Sequence, residues 1–180
     1  TSVESITGYG DNYGVRISGY LIPPADGDYV IYVSGDDNCE VWLSSDENPA
    51  NIALVAREPE WNDARQWVAT DRRPAAENIS APISLAGTKK YYFEALMKEG
   101  GGGDSLGVTA LPVGVLPANG DPSTLTGSII ATMADDLPIF YSDISIVGSS
   151  VRAGKSVTLK STQYAPPGTT YQWLKNNTPI

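Results

Sequence analysis

The feature that most constrains this chain is a succession of short alternating runs cut by turn residues, clearest at residues 19–43, GYLIPPADGDYVIYVSGDDNCEVWL. A period of two sends successive side chains to opposite faces, and β-branched and aromatic residues suit a pleated, half-buried strand. DYVIYVS at 28–34 lies between an Asp-Gly turn and the Asp36-Asp37 corner, and CEVWLS at 39–44 puts Val41 and Leu43 on one face and Glu40 and Trp42 on the other. Two adjacent carboxylates at the mouth of a sheet are oxygen ligands of the kind a hard cation takes. A second acidic corner, Gly-Gly-Gly-Gly-Asp at 100–104, follows a later strand and can supply the rest of such a site. On local chemistry alone the first corner also reads as a solvated turn, and the second as a flexible hairpin loop.

The same signature recurs along the chain. Strands are predicted over 13–21, 79–85, 90–97 and 106–111, with helical periodicity nearly absent. Many short strands with regular turn signals predict an all-β chain folded as an antiparallel β-sandwich. The segment 57–77 is irregular and is expected to cross the sandwich, with a strand or short helical turn near 64–68 and with Trp61 and Trp67 anchoring it. Residues 112–126 read as a connector, and SIIATM completes a first domain, 1–134. From 137 the pattern restarts: GKSVTL, a Pro-Pro-Gly turn and Trp173 resemble the first strands of a bacterial immunoglobulin-like domain. That makes 135–180 a partial immunoglobulin-like β-sandwich, short of the roughly 100 residues such a domain needs. The natural polypeptide is expected to continue, and an opening at Thr1 without Met suggests a processed or excised piece.

Charge narrows the function classes. The formal net charge is −9, and residues 1–134 hold 8 basic against 18 acidic side chains while 135–180 hold 4 against 3. An acidic surface lacks the basic face that phosphate binding needs, so no nucleic-acid partner is expected. No apolar run approaches the roughly 18–20 residues of a membrane span, so no membrane insertion is expected. The single cysteine, Cys39, permits no intrachain disulfide. The chain has no histidine, which removes Ser-His and Cys-His nucleophile systems and the commonest zinc ligand.

The ordered set NYGVRISGYLIPP at 12–24, Gly27-Asp-Tyr, Gly35-Asp-Asp, VWLSSDENP at 41–49 and YYFEALMKEGGGGD at 91–104 resembles the PA-14 (protective-antigen) domain, in the version common in large secreted bacterial proteins, over residues 5–115. The resemblance implies a β-sandwich and, by analogy with the family's calcium-dependent lectins, a calcium cofactor bound by two consecutive aspartates joined by a cis peptide. Asp36 and Asp37 match that pair. The family's second loop maps onto 99–104, which makes Asp104 a side-chain ligand, Gly101 and Gly103 further metal positions, and Glu99 a ligand-binding candidate; Trp42, beside the acidic corner, is a further ligand-binding candidate. Sugar hydroxyls would complete the calcium shell.

The leading expectation is therefore a calcium-dependent carbohydrate-binding or adhesion module of a larger secreted or cell-surface protein, with a glycan or surface polysaccharide as partner. A structural spacer or filament domain, engaged in self-association or surface assembly, is the alternative. Catalysis by paired carboxylates stands third. The expectation is that the chain is not an enzyme, although an accessory module of an enzyme elsewhere in the polypeptide is compatible with it.

Overall fold

The computed structural model describes residues 2–68 and 77–132 in full, together with the backbone of four short strands further on. The chain divides into two units, Thr1–Met133 and Ala134–Ile180. In the first, β1 (Gly14–Leu21), β2 (Gly27–Asp36), β3 (Asn38–Ser44), β4 (Ile52–Glu58), β5 (Ile83–Leu85), β6 (Tyr91–Lys98), β7 (Ser105–Pro112) and β8 (Ile130–Ala131) build two antiparallel sheets. One runs β4-β3-β6-β1-β8 and the other β5-β2-β7.

The alternation visible in the sequence becomes the core. Tyr29, Ile31, Val33, Leu106, Val108 and Ala110 face inward from the smaller sheet; Cys39, Val41, Leu43, Phe93, Ala95 and Met97 face inward from the larger one. All are buried, so the two sheets close on one apolar layer and form a β-sandwich. Among the described residues there is no α-helix, only 3₁₀ turns at Pro49–Asn51 and Gly127–Ile129.

β4 is an element that alternation does not mark. It is an edge strand, paired to β3 through an irregularity between Val41 and Trp42, and its Leu54 remains exposed. A strand with one neighbour and a broken register has no periodic pattern to display. The crossing segment behaves differently from the expected strand or helical turn: Gln66 N–H closes a turn on Asp63 O at 2.9 Å, with Arg65 at φ 60°. Beyond the turn, Trp67 is fully buried and lies on the outer face of the smaller sheet. A Cβ at position 107 would come within 2.9 Å of the Trp67 ring, so Gly107 leaves the room that the indole fills against β7. The indole N–H donates to Asp121 O at 3.0 Å, tying the segment to the connector after β7.

Asn78, which opens an Asn-Ile-Ser sequon, is buried, and its side-chain amide donates to the carbonyls of Val33 and Trp67. In the folded chain this side chain is committed to the edge of β2.

In the second unit β9 (Ser145–Val147) pairs with β10 (Thr158–Lys160), and β11 (Leu174–Lys175) with β12 (Thr178–Pro179), both antiparallel. Trp173 and most of the expected immunoglobulin-like start lie outside the described residues.

Burial of an entire indole over a glycine gives a direct test of the crossing segment's anchor. Trp67→Ala should lower the unfolding free energy by about 3–5 kcal/mol in urea denaturation. A loss below about 1 kcal/mol would show that the segment is held by its backbone rather than by the ring.

Candidate metal centre

Two connections between the sheets meet at one end of the sandwich. β2 ends at Asp36 and β3 begins at Asn38, so Asp37 alone carries the chain from the smaller sheet to the larger. β6 ends at Lys98 and β7 begins at Ser105, so residues 99–104 carry it back. The register, Asn38 opposite Lys98 and Asp36 opposite Ser105, sets these connections side by side. The approach to β1 arrives at the same place, because Glu99 N–H donates to Tyr13 O at 2.9 Å.

The Asp36–Asp37 peptide bond is cis. Asp36, Asp37 and Glu99 each bring a carboxylate oxygen to within 4.8 Å of the other two. Glu99 is 1% exposed. Its Oε2 accepts from Asp37 N–H at 3.2 Å, and Asp37 Oδ2 accepts from Gly100 N–H at 2.8 Å. Glu99 Oε1 is buried with no hydrogen-bond partner. Burial pushes the Glu99 carboxyl above its ordinary range, and the neighbouring Asp37 carboxylate adds to the push. Gly103 closes the far side: a Cβ there would sit 2.6 Å from Asp36 Oδ2.

This donor set suits one class of guest. It offers only oxygen, three carboxylates crowd one another, and one buried oxygen lacks any partner, a combination that a bound hard cation would relieve. Cys39, nearby in β3, offers no thiolate, because burial drives its pKa upward. The residues present fit calcium.

A family model for the PA14 domain matches residues 2–121. The chain belongs to that family. Over 89 residues it is 40% identical to the mouse N-acetyl-beta-glucosaminyl-glycoprotein 4-beta-N-acetylgalactosaminyltransferase 1, a match covering 49% of this chain and 8% of that protein. Among solved structures, the Epithelial Adhesin 6 A domain of Candida glabrata in complex with Galb1-3GlcNAc aligns over 68% of this chain and 51% of its own, at 14% identity and a TM-score of 0.47. The Epithelial Adhesin 9 A domain of the same organism, in complex with Galb1-4GlcNAc, aligns over 59% and 48%, at 17% identity and a TM-score of 0.44. The expectation that the chain is not an enzyme is overturned by the mouse relative, whose name is that of a glycosyltransferase.

Within the PA14 unit the expected site residues part company. Asp36, Asp37 and Glu99 come together. Asp104 is not gathered with them: its carboxylate accepts from Gly8 N–H, from Tyr9 N–H at 2.6 Å and from Gly10 N–H at 2.9 Å. Those amides, Gly10 foremost, hold its carboxyl below the usual range. Tyr13, next to it, is pushed up to about 12, first by burial and then by the Asp104 carboxylate. Gly103 packs on Asp36, whereas Gly101 faces Asp11. Trp42 lies five residues along β3 from Asp37, about 17 Å of extended chain, and its indole N–H donates to Glu40 at 2.9 Å. Trp61, by contrast, pairs its backbone with Asp36 and is 40% exposed. Asp11 is a residue that sequence reasoning passed over. It sits in Gly-Tyr-Gly-Asp-Asn at 8–12, ordinary turn composition, and no spacing rule brings position 11 to position 101.

A buried carboxylate with an unpartnered oxygen is a cost when no cation is present. In chelator, Glu99→Gln should therefore unfold at a higher temperature than the parent chain. In millimolar calcium the order should reverse. A lower midpoint for the variant in chelator would show that Glu99 is held by favourable contacts instead.

Proposed function

We propose that this PA14 unit is a calcium-dependent carbohydrate-binding module of a larger secreted or cell-surface protein. The observation that carries the reading is the buried, unpartnered oxygen of Glu99 beside the carboxylates of Asp36 and Asp37. Calcium, when bound, would supply open coordination positions that neighbouring hydroxyls of a sugar can fill. Asp36, Asp37 and Glu99 are the residues that would hold it, with the 100–103 loop alongside. Asp104 and Gly101 act at the margin of such a site, and Trp42 lies away from it.

The mouse relative adds weight on the carbohydrate side, since its name describes a protein that acts on glycoprotein-borne sugar. The two share a stretch that is 8% of the relative's length, so the activity of the whole polypeptide carrying this chain is part of the proposal. No helix among the described residues is long and apolar enough to cross a membrane. The proposed extracellular or cell-surface location follows from calcium, which extracellular modules bind at roughly 0.1–1 mM. Residues 135–180 are proposed as the opening of an immunoglobulin-like domain on the sequence pattern described above.

A structural reading has one observation in its favour. Gly100 N–H donates to Asp37 Oδ2 at 2.8 Å, so a direct hydrogen bond between protein groups joins the two connections. In that version the module is a spacer or assembly unit, and calcium only stiffens its end.

The two readings separate by thermal unfolding in millimolar calcium and in chelator, with Asp37→Ala alongside. A ligand at 100 times its dissociation constant adds about 2.7 kcal/mol to stability. Calcium should raise the midpoint of the parent chain and leave the variant unmoved, and the parent alone should then be retained on immobilised Galβ1-4GlcNAc or β-lactose in a calcium-dependent way. Equal midpoints in both buffers would end the calcium reading. A calcium shift without retention on any glycan surface would favour the spacer.

A further inference from the structure

The 8–12 loop is clamped from three sides against the connection that forms the metal centre. Asp104 accepts from the N–H groups of Gly8, Tyr9 and Gly10. Asn12, at φ 57°, donates its N–H to Gly100 O at 3.2 Å. Tyr13 O takes the N–H of Glu99 at 2.9 Å. Between these clamps stands Asp11. Its carboxylate faces the glycine run, with its Cγ 3.7 Å from where a Gly101 Cβ would lie and Oδ1 3.4 Å from Gly102 N. Gly100, one residue further back, donates to Asp37 Oδ2. Asp11 thus stands beside Gly101 and Gly102, close enough that its charge is among those acting on Glu99.

We infer that Asp11 is a fourth acidic group of the cation site, delivered by a loop that Asp104 latches in place, and that Asp104 is a positioning residue rather than a metal ligand. The inference rests on the cation reading above. Two features of the geometry support it. The buried and unpartnered Glu99 Oε1 points to a guest at this corner, independently of how many acidic groups surround it. The Asp104 carboxylate has both oxygens engaged, Oδ1 by Gly8 and Oδ2 by Tyr9 and Gly10, whereas Asp11 is exposed and makes only the long contact to Gly102. A weakly held carboxylate beside the glycine run can turn toward a cation at little cost, whereas turning Asp104 would break three hydrogen bonds.

The test is calcium titration of the chelator-stripped chain by calorimetry, using calcium alone as the probe. Asp11→Asn keeps the side chain's size and its contact with Gly102 but removes the charge, and should weaken calcium binding roughly tenfold at low ionic strength. Glu47→Gln removes the same charge in the turn beyond the opposite end of β3 and should leave the affinity within about twofold. Asp104→Ala should cost more than Asp11→Asn, because it frees the loop and also removes a negative charge that acts on Glu99, and the double variant should cost no more than Asp104→Ala alone. Equal affinities for Asp11→Asn and Glu47→Gln would overturn the role of Asp11 while leaving the cation reading intact. Loss of binding by Asp104→Ala as complete as that caused by Asp37→Ala would make Asp104 a ligand and overturn the latch. A parent chain that binds no calcium sinks the cation reading, and this inference with it. Since Asp104→Ala also frees a loop, amide exchange at Gly8, Tyr9 and Gly10 gives a second readout. It should quicken in Asp104→Ala and stay unchanged in Asp11→Asn, and slow exchange in both would rule out the latch.

Discussion

The packing of one inter-sheet connection against the other, sealed where Gly100 N–H meets Asp37 Oδ2, is the constraint on which the rest of this structure depends. A sandwich needs its chain to pass between sheets, and here two passages share one end and one set of hydrogen bonds. Because a single residue spans the first passage, β2 and β3 have no slack in their relative placement. The register of β2 with β7 and of β3 with β6 is thereby set at the same corner. The core alternation of both sheets follows from that setting, since a slip of one residue would turn Val33 and Val41 out toward solvent.

A chain confined in this way has consequences for chemistry. Side chains at a tight passage are placed by backbone geometry as much as by their own rotamer freedom, and the single-residue passage sets the carboxylates of Asp36 and Asp37 near Glu99. Preorganisation of that kind reduces the ordering that binding must otherwise impose. It also carries a cost in stability, because the Glu99 carboxylate is buried against another negative charge with one oxygen unpartnered. Structural polar groups are normally satisfied, and departures concentrate where a guest is meant to complete the set. The physical case for the site is that the fold tolerates this arrangement instead of filling position 99 with an apolar side chain.

The residues that could be read from sequence are those whose role is local. Asp36-Asp37 announces itself because two acidic residues interrupt a strand pattern, and the inward sets of β2, β3 and β6 follow from a period of two. What escaped reading depends on contacts between distant positions. β4 lies at an edge with a broken register, so it shows no period of its own. Asp11 meets the glycine run only because Tyr13 pairs with Glu99 and Asn12 with Gly100, both nearly ninety residues away in the chain. Asp104 depends on long-range pairing too: its position in a glycine-rich acidic loop marks it as a ligand candidate, and the fold sets three amides from the 8–10 segment against its oxygens. Composition names the residues capable of an interaction, and long-range pairing decides which interaction each one makes.

The glycines of the 100–103 run then acquire distinct meanings. Position 103 must lack a side chain because Asp36 Oδ2 fills the space a Cβ would need. Gly100 contributes its amide to Asp37. At 101 and 102 the glycines separate Asp11 from the three gathered carboxylates by backbone alone, and Gly102 adopts φ 119°, a conformation rarely open to other residues. A Cβ at 101 would lie 3.7 Å from the Asp11 carboxyl, whereas one at 102 would meet nothing within 4 Å. The run is thus less a flexible hinge than a thin partition, and its thinness lets charge from the 8–12 loop act on a site built by other strands. Electrostatic influence falls off within about 10 Å in physiological salt. Asp11 lies inside that range, since its charge is among those that raise the Glu99 carboxyl, and the hydrogen bonds of Gly8, Tyr9 and Gly10 to Asp104 fix the loop that carries it.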